Sequence, residues 1–278
     1  MDNLVDTKWL TDELAAPDLV ICDATVYPPG DGRDARKLYQ AGRLPGARFF
    51  DLDVIADPDS PLPHMVPAAS RFERLVGALG IGNANRVVFY DQLGLFSAAR
   101  AWWLMRLFGH RQAAVLDGGL PKWQREGRPL HSGPSPLPLP AHYRTSYRAL
   151  RLRGLGDMLD NVKSARELVI DARSGERFYG RAPEPRAGLR SGHIPGASSV
   201  PHTDLLSSGQ TLLAPAALRA RFAAAGVDGK RGVVTSCGSG LTAAVLTLGL
   251  AVAGLPEGAL YDGSWVEWGG RSDTPVAT

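Results

Sequence analysis

Cys237 lies between a predicted strand and a predicted helix, a position where a thiol can be activated as a nucleophile. The run Arg231–Ser236, with β-branched residues at 233–235, is typical of a buried strand, and Cys237 follows it directly. The short loop Gly238–Gly240 comes next, before a segment from Leu241 that is typical of a helix. Because ligands of open α/β sheets bind at the carboxyl ends of the strands, this cysteine is placed to meet a substrate.

Two properties of this loop favour the thiolate form of Cys237. Gly238 and Gly240 allow the backbone to curl without Cβ clashes, so that several N–H groups can point at one centre. The amino end of the following helix adds a partial positive charge. Since the thiolate is the nucleophilic form of cysteine, we predict that Cys237 is a nucleophile. Cys22 lies inside the apolar run Leu19–Cys22 and is predicted to be inert.

The chain contains one internal repeat, with a period of roughly half its length. The matching segments occur in the same order in both halves: Val20–Ala24 with Val169–Ala172, Gly42–Ala47 with Gly192–Ala197, Val87–Asp91 with Val233–Cys237, and Asp117–Gly119 with Asp262–Ser264. At the position of Cys237 the first half has Asp91, whose carboxylate cannot do thiol chemistry. The repeat therefore predicts one working copy and one non-catalytic copy.

The repeat and a proline-rich segment predict two domains, at residues 1–140 and 141–278. Residues 129–140 contain five prolines, a composition that favours extended polyproline geometry and is typical of a linker. Short apolar runs without alternation, such as Arg86–Tyr90, suit parallel strands that are covered on both faces. Helices are predicted at Ala98–Phe108, Pro215–Ala225 and Leu241–Ala253. We predict an α/β fold in which each domain has a parallel sheet flanked by helices.

The composition excludes several classes of protein. A net charge of +3 over 278 residues is unlike the clustered basic face of a nucleic-acid binder, and its small excess favours an anionic small substrate. The longest apolar run, Leu241–Leu255, is too short and too mixed to cross a bilayer. Two cysteines, with no apolar signal segment in Met1–Trp9, favour a reducing compartment. We predict a cytoplasmic monomer or weak homo-oligomer that binds neither nucleic acid nor membranes.

The loop Cys237–Thr242, in the second of two repeated α/β halves, resembles the catalytic loop of the two-domain rhodaneses. Within that family, its Cys-Gly-Ser-Gly sequence is similar to the 3-mercaptopyruvate sulfurtransferases, whereas thiosulfate sulfurtransferases tend to carry basic residues there. Further segments that carry the resemblance are Gly42–Ala47, Phe49–Asp53, Leu116–Leu120 and Glu184–Arg186. The resemblance covers essentially the whole chain and implies two tandem rhodanese-like domains.

The resemblance also implies partners for Cys237. Arg177 and Arg186 match the two arginines that hold the carboxylate and carbonyl of the donor, a task that suits the planar guanidinium fork. Ser239 matches a hydroxyl that assists the cysteine, and His64 and Asp53 match residues that complete the catalytic group. The rest of the six-residue loop is implied to bind the substrate: Gly238, Gly240, Leu241 and Thr242.

Each of these residues also has an alternative structural role. Ser239 could cap the helix that follows it, and Asp53 could cap another helix. His64, after Pro61–Pro63, could be a loop histidine without function. Two arginines in one loop are often surface ion pairs.

The resemblance implies a two-step sulfur transfer. The Cys237 thiolate attacks the sulfur of 3-mercaptopyruvate, pyruvate leaves, and a persulfide remains on the cysteine. An acceptor thiol, thioredoxin or cyanide then removes the outer sulfur in a ping-pong scheme. We expect no metal or organic cofactor, because no cysteine–histidine cluster with zinc-ligand spacing occurs in the chain.

Three other functions compete with this one. A thiosulfate sulfurtransferase would favour cations in the loop, but Cys237–Thr242 is neutral. A cysteine phosphatase of the same fold would need an arginine where this chain has Ala243. A non-catalytic sulfur-carrier or binding module would lack a nucleophile in both halves, which Cys237 argues against.

Overall fold

The computed structural model describes residues 1–278 and contains two five-stranded sheets in which all paired strands are parallel. The strands of the first sheet are β1 (Leu4–Val5), β2 (Leu19–Asp23), β3 (Arg48–Phe49), β4 (Arg86–Tyr90) and β5 (Ala113–Leu116). Those of the second are β6 (Leu152–Arg153), β7 (Glu167–Asp171), β8 (Ser198–Ser199), β9 (Gly232–Ser236) and β10 (Ala259–Tyr261). The orders are β1-β5-β4-β2-β3 and β6-β10-β9-β7-β8, so the sequence repeat is a repeat of topology.

Helices connect the strands in both sheets. The first set is α1 (Thr7–Glu13), α2 (Ala35–Ala41), α3 (Leu52–Ile55), α4 (Ala69–Ala78), α5 (Ala98–Leu107) and α6 (Gly119–Arg125). The second set is α7 (Leu155–Ser164), α8 (Gly175–Phe178), α9 (Pro215–Ala224), α10 (Ala243–Val252) and α11 (Ser264–Gly270). Short 3-10 helices lie at Ala149–Arg151 and His202–Leu205. The predicted α/β class is confirmed, and no helix is long or apolar enough to cross a membrane.

The central strands are buried on both faces. In β4, the four successive residues Val87–Tyr90 are all fully buried. Val88 and Tyr90 pack on one face, in a cluster that also contains Trp123 of α6. The other face is covered by α5, which contacts β4 and β5. This double cover explains why Val87–Tyr90 form a continuous hydrophobic run and do not alternate with polar residues.

The chain folds into two compact units that exchange short segments. The first unit comprises residues 1–59, 66–148 and 208–211, and the second comprises residues 60–65, 149–207 and 212–278. The chain thus passes between the units near residue 148, while the domain boundary at residue 140 stays a prediction.

The start of the proline-rich segment is built into the first unit. The indole Nε1 of Trp123 donates to the carbonyl of Pro129 at 2.8 Å, and His131 forms an antiparallel bridge with Arg43. The end of the chain repeats this arrangement, because Trp268 donates to Pro275 at 2.7 Å and Ala277 bridges to His193. Both segments therefore close a unit by binding its glycine–proline turn, and we call them the closing straps, residues 129–133 and 275–278.

Candidate active site

Cys237 is the first residue after β9 and lies within the second unit. It is buried, with 1% of its surface exposed, and its Sγ accepts the N–H of Gly240 at 3.1 Å. Gly240 has a φ of +79°, a left-handed conformation that favours glycine. The glycine therefore allows the loop to fold back so that its backbone faces the sulfur.

The hydroxyl of Ser239 faces a histidine and does not cap the following helix. Helix α10 begins at Ala243, and its N-cap residue Thr242 makes no side-chain capping bond. Ser239 Oγ lies 3.2 Å from His64 Nδ1. Ser239 is 7% exposed and His64 is half-buried, so the serine side of this pair is shielded from water. The serine lies two residues beyond the thiol.

His64 reaches this pair although it comes from the first half of the sequence. Residues 60–65 pack with the second unit, so that the His64–Ser239 contact is internal to that unit. His64 has a φ of +62°, a backbone conformation that costs a non-glycine residue energy and is often found at functional sites. The surrounding structure thus holds His64 in a backbone conformation that residues other than glycine disfavour.

Arg177 comes from the short helix α8 and reaches the same loop. A Cβ atom placed on Gly238 would lie 3.2 Å from Arg177 Nη2, so the guanidinium lies directly beside the residue that follows Cys237. Its side chain remains 24% exposed. The arrangement leaves a cation at the loop that an anionic group could bind.

A buried carboxylate holds Arg177 in this position. Glu184 accepts from Arg177 Nη2 at 2.5 Å and from Arg173 Nη1 at 2.9 Å. Its side chain is 1% exposed and that of Arg173 is fully buried. Arg173 in turn donates to Asp171 at 2.7 Å. A chain of four alternating charges therefore runs from the end of β7 to the loop.

In the sequence, Glu184 stands out only as part of the motif Glu184–Arg186, and the chain of charges that it joins is evident only in the fold. The signals that the sequence does contain are Asp171 and Arg173, because an aspartate at a buried strand end and an arginine two residues later need internal partners. Without coordinates, nothing indicates that one glutamate serves two arginines.

Leu241 is buried in the loop before α10, and Asp53 and Arg186 are placed less specifically. Asp53 lies in the first unit and is exposed in the first turn of α3. The N-cap of that helix is Asp51, whose side chain accepts from Val54 N, so Asp53 does not have the capping role considered above. Arg186 is half-buried in the irregular segment after α8. Their catalytic and binding roles stay predictions.

The equivalent place in the first unit is occupied by an anion of the protein itself. Asp91 is fully buried, and its carboxylate accepts four backbone N–H groups at 2.7–3.0 Å, from Leu93, Phe96, Ser97 and Ala98. The loop after the strand is thus a cradle of N–H groups. No thiol occupies it, as the sequence predicts.

Cys22 differs from Cys237 in its surroundings. It is fully buried in β2, and burial raises the pKa of its thiol to about 12. A thiol that stays protonated at neutral pH is a poor nucleophile. This environment agrees with the prediction that Cys22 is inert.

Comparison with known proteins assigns both halves to one family. The family model for the rhodanese-like domain matches residues 6–126 and again residues 154–271. The chain is 43% identical to the human 3-mercaptopyruvate sulfurtransferase over 271 residues, which is 95% of this chain and 91% of the human protein. It is 41% identical to the bovine thiosulfate sulfurtransferase over 272 residues, again 95% and 91% of the two chains.

A solved structure shares the whole fold. The crystal structure of SseA from Escherichia coli, described as a 3-mercaptopyruvate sulfotransferase, superposes with a TM-score of 0.86 at 37% identity. The match covers 95% of this chain and 99% of the other. The similarity in sequence and in fold therefore extends over both units.

Proposed function

This chain belongs to the rhodanese-like family of sulfurtransferases, and from that premise we propose that it transfers the sulfur of 3-mercaptopyruvate through a persulfide on Cys237. The observation that carries the proposal is the surroundings of that thiol. Its Sγ faces the N–H of Gly240 at 3.1 Å, and the His64–Ser239 pair and Arg177 lie against the same loop.

In the first step, the Cys237 thiolate attacks the sulfur of the donor. A new S–S bond forms, the C–S bond of 3-mercaptopyruvate breaks, and its electron pair passes to the carbon as the enolate of pyruvate. The enolate takes up a proton and leaves as pyruvate. We assign this proton transfer to Ser239 backed by His64, because a serine hydroxyl is too weak an acid to act unaided.

In the second step, an acceptor attacks the outer sulfur of the persulfide. A thiol, reduced thioredoxin or cyanide forms the new bond to sulfur, and the S–S bond breaks with its electron pair returning to Cys237. The thiolate is thereby regenerated. Donor and acceptor use the same site in turn, which predicts ping-pong kinetics. Neither step calls for a cofactor.

The choice of donor depends on charge. Identities of 43% and 41% to the two kinds of relative are too close to separate mercaptopyruvate from thiosulfate. The loop Cys237–Thr242 has no cation of its own, whereas a dianion such as thiosulfate would favour one. We propose that Arg177 and Arg186 bind the carboxylate and carbonyl of mercaptopyruvate, since guanidinium groups bind carboxylates in two-point contacts.

Location and assembly remain predictions alongside this function. The two free cysteines fit a reducing compartment, which supports the cytoplasm as the site of action. We expect a monomer or a weak homo-oligomer that acts on small anions and on thiol acceptors.

The test is to trap the persulfide and compare donors. After treatment with mercaptopyruvate and no acceptor, mass spectrometry should find one extra sulfur atom on the peptide that contains Cys237. Cys237→Ser should abolish transfer, because a hydroxyl cannot form a persulfide, and Cys22→Ser should leave turnover unchanged. Extra sulfur on Cys22, or activity retained in Cys237→Ser, would disprove the assignment of the nucleophile.

The same preparation decides the donor. We expect kcat/KM for mercaptopyruvate to exceed that for thiosulfate. The reverse order would make the chain a thiosulfate sulfurtransferase, as the bovine relative is named. A chain that accepted sulfur from neither donor would instead be a binding module.

A further inference from the structure

Ser264, the first residue of α11, has a backbone conformation that its side chain disfavours. Its φ is +49°, and it is one of four non-glycine residues with positive φ. The other three, His64, Ala165 and Gln210, are half-buried or exposed, whereas Ser264 is fully buried. Residues other than glycine rarely adopt this conformation, so the presence of a serine here, where glycine would fit without strain, needs an explanation.

The hydroxyl of Ser264 bonds directly to the backbone of Cys237. Ser264 Oγ donates to the carbonyl of Tyr261 at 2.9 Å and accepts the N–H of Cys237 at 3.3 Å. The next residue, Trp265, donates its N–H to the carbonyl of Cys237 at 2.9 Å. Both sides of the Cys237 backbone are thus held by the start of one helix, which is itself anchored to the end of β10.

The first unit shows the same turn without the hydroxyl. Gly119 occupies the position of Ser264 with a φ of +50°, and Leu120 N donates to the carbonyl of Asp91 at 3.0 Å. A Cβ on Gly119 would lie 2.5 Å from that carbonyl oxygen, so a serine does not fit there. The second unit makes room for a strained serine, and it is the unit that carries the thiol.

We propose that Ser264 is a positioning residue for Cys237, whose hydroxyl fixes the Cys237 backbone so that the thiol faces the loop. The inference rests on the proposed function in that it takes Cys237 as the nucleophile. The hydrogen bonds of the Ser264 hydroxyl are to backbone groups, those of Tyr261 and Cys237. Its loss frees a buried N–H and lets the residue at the strand end adopt other conformations, which misaligns the sulfur for attack. Arg177, which binds the donor in our proposal, is left in place.

The expected signature is therefore a fall in kcat without a matching change in KM. Ser264→Gly removes the hydroxyl and also relieves the left-handed strain, so its melting temperature should exceed that of Ser264→Ala. Ser264→Ala removes the hydroxyl and keeps the strain, and should melt lower. Both should lower kcat about tenfold, the scale expected when one hydrogen bond of the reactive geometry is lost.

A second readout uses no sulfur donor. The rate at which iodoacetamide alkylates Cys237 should fall in both variants across a pH series, while Cys22 stays unreactive in its buried strand. Ala165→Gly is the matched control, because Ala165 is an exposed residue with a φ of +50°. That substitution relieves the same backbone strain away from the loop and should leave alkylation and kcat unchanged.

Three outcomes decide the matter. Wild-type alkylation and kcat in both Ser264 variants would overturn the proposal. So would a loss confined to Ser264→Ala, because strain and not the hydroxyl would then be the cause. A wild-type protein that forms no persulfide on Cys237 would instead overturn the proposed function, and the alkylation rates would still report separately on Ser264.

Discussion

The side chain after the central strand separates the two units chemically. Asp91 and Cys237 occupy equivalent places, each before a loop that turns its backbone N–H groups inward. In the first unit the carboxylate fills that cradle permanently with four hydrogen bonds. In the second unit the Sγ of Cys237 accepts one backbone N–H, that of Gly240. The two units therefore differ at this position in whether the loop binds a carboxylate of the protein or carries the thiol that we propose as the nucleophile.

Glu184 is expected to act on the donor through Arg177. Glu184→Gln keeps the shape but removes the charge shared by Arg173 and Arg177. Removing one partner from a buried ion network typically costs about 3–5 kcal/mol, so the melting temperature should fall. Because Arg177 loses its orientation, KM for mercaptopyruvate should also rise, approaching the roughly 10–100-fold loss in kcat/KM expected for Arg177→Ala.

Glu167 provides the control for this substitution. It pairs with Arg153 at 2.7 Å in the same unit, but both side chains are partly exposed, at 23% and 21%. Glu167→Gln should lower stability less and leave KM unchanged. If Glu184→Gln melted lower with a wild-type KM, Glu184 would have only a structural role.

Asp23 is expected to make the stability of the first unit depend on pH. Burial raises the pKa of this carboxyl from 3.8 to about 6, and its partners are the neutral Thr25 and Gln92. Between these values the folded protein keeps a proton that the unfolded chain loses, so the free energy of unfolding falls as pH rises. The contribution is complete below pH 4 and lost above pH 6, and amounts to about 3 kcal/mol.

The measurement compares Asp23→Asn with the wild type. The variant lacks the titration, so its melting temperature relative to wild type should increase from pH 4 to pH 6.5. Asp171, the equivalent residue of the second unit, is paired with the buried Arg173. Asp171→Asn should therefore destabilise the protein at neutral pH. A difference between Asp23→Asn and wild type that did not change with pH would contradict the account.

Among the elements, the buried central strands are the ones that the sequence predicts best. The apolar runs predicted around Val20, Val87, Val169 and Val233 are β2, β4, β7 and β9, each within a residue or two of its observed bounds. Burial on both faces makes the central residues of such a strand mostly apolar, which leaves a signal in the sequence. The predicted helices at Ala98, Pro215 and Leu241 are confirmed as α5, α9 and α10, although α10 starts two residues later, at Ala243.

The edge strands left no such signal. Strands β1, β3, β6 and β8 have two residues each, too few to show any periodicity. They exist because a neighbouring strand pairs with them, as β2 pairs with β3 at Cys22 and Asp23. The closing straps are not predicted from the sequence either, because the bond from Trp123 to Pro129 depends on how the chain turns back and not on local composition.

In the candidate site, too, local sequence predicts some features, while others depend on contacts between distant residues. Local sequence places Cys237 and Ser239 on a loop between strand and helix, and the structure has them there. The contact of Ser239 with His64 joins residues far apart in the chain and was available only through the family resemblance. The role proposed for Ser264 depends on a backbone angle, which composition does not reveal.

Across the whole molecule, the repeated halves exchange equivalent segments. His64 packs with the second unit and Gln210 with the first, and the spacing between them along the chain equals that between Asp91 and Cys237. Both have left-handed backbones, with φ of +62° and +61°. Gln210 lies over Gly94 in the loop after Asp91, as His64 lies beside Ser239. The first unit thus has Asp91 at the position of Cys237 and Gln210 at the position of His64.

This exchange predicts that the second half of the chain cannot carry out the reaction by itself at full rate. A fragment of residues 141–278 contains Cys237, Ser239 and Arg177 but lacks the segment 60–65, which packs with the second unit. It therefore lacks His64, and Ser239 has no group to back its proton transfer. General acid–base assistance is typically worth about 10²–10⁴ in rate, so we expect the fragment to form the persulfide slowly or not at all.

The full-length variant His64→Ala calibrates this experiment. It should lower kcat at least tenfold, the smaller end of such effects, with a smaller change in KM because Arg177 is untouched. Circular dichroism and a thermal melt establish that the fragment is folded before its rate is measured. A fragment as slow as His64→Ala would make the histidine the missing contribution, and a slower one would add a role for Asp53, which the fragment also lacks. A folded fragment that turned over mercaptopyruvate at the full-length rate would refute the dependence on His64, because no residue before position 141 would then be needed for the chemistry.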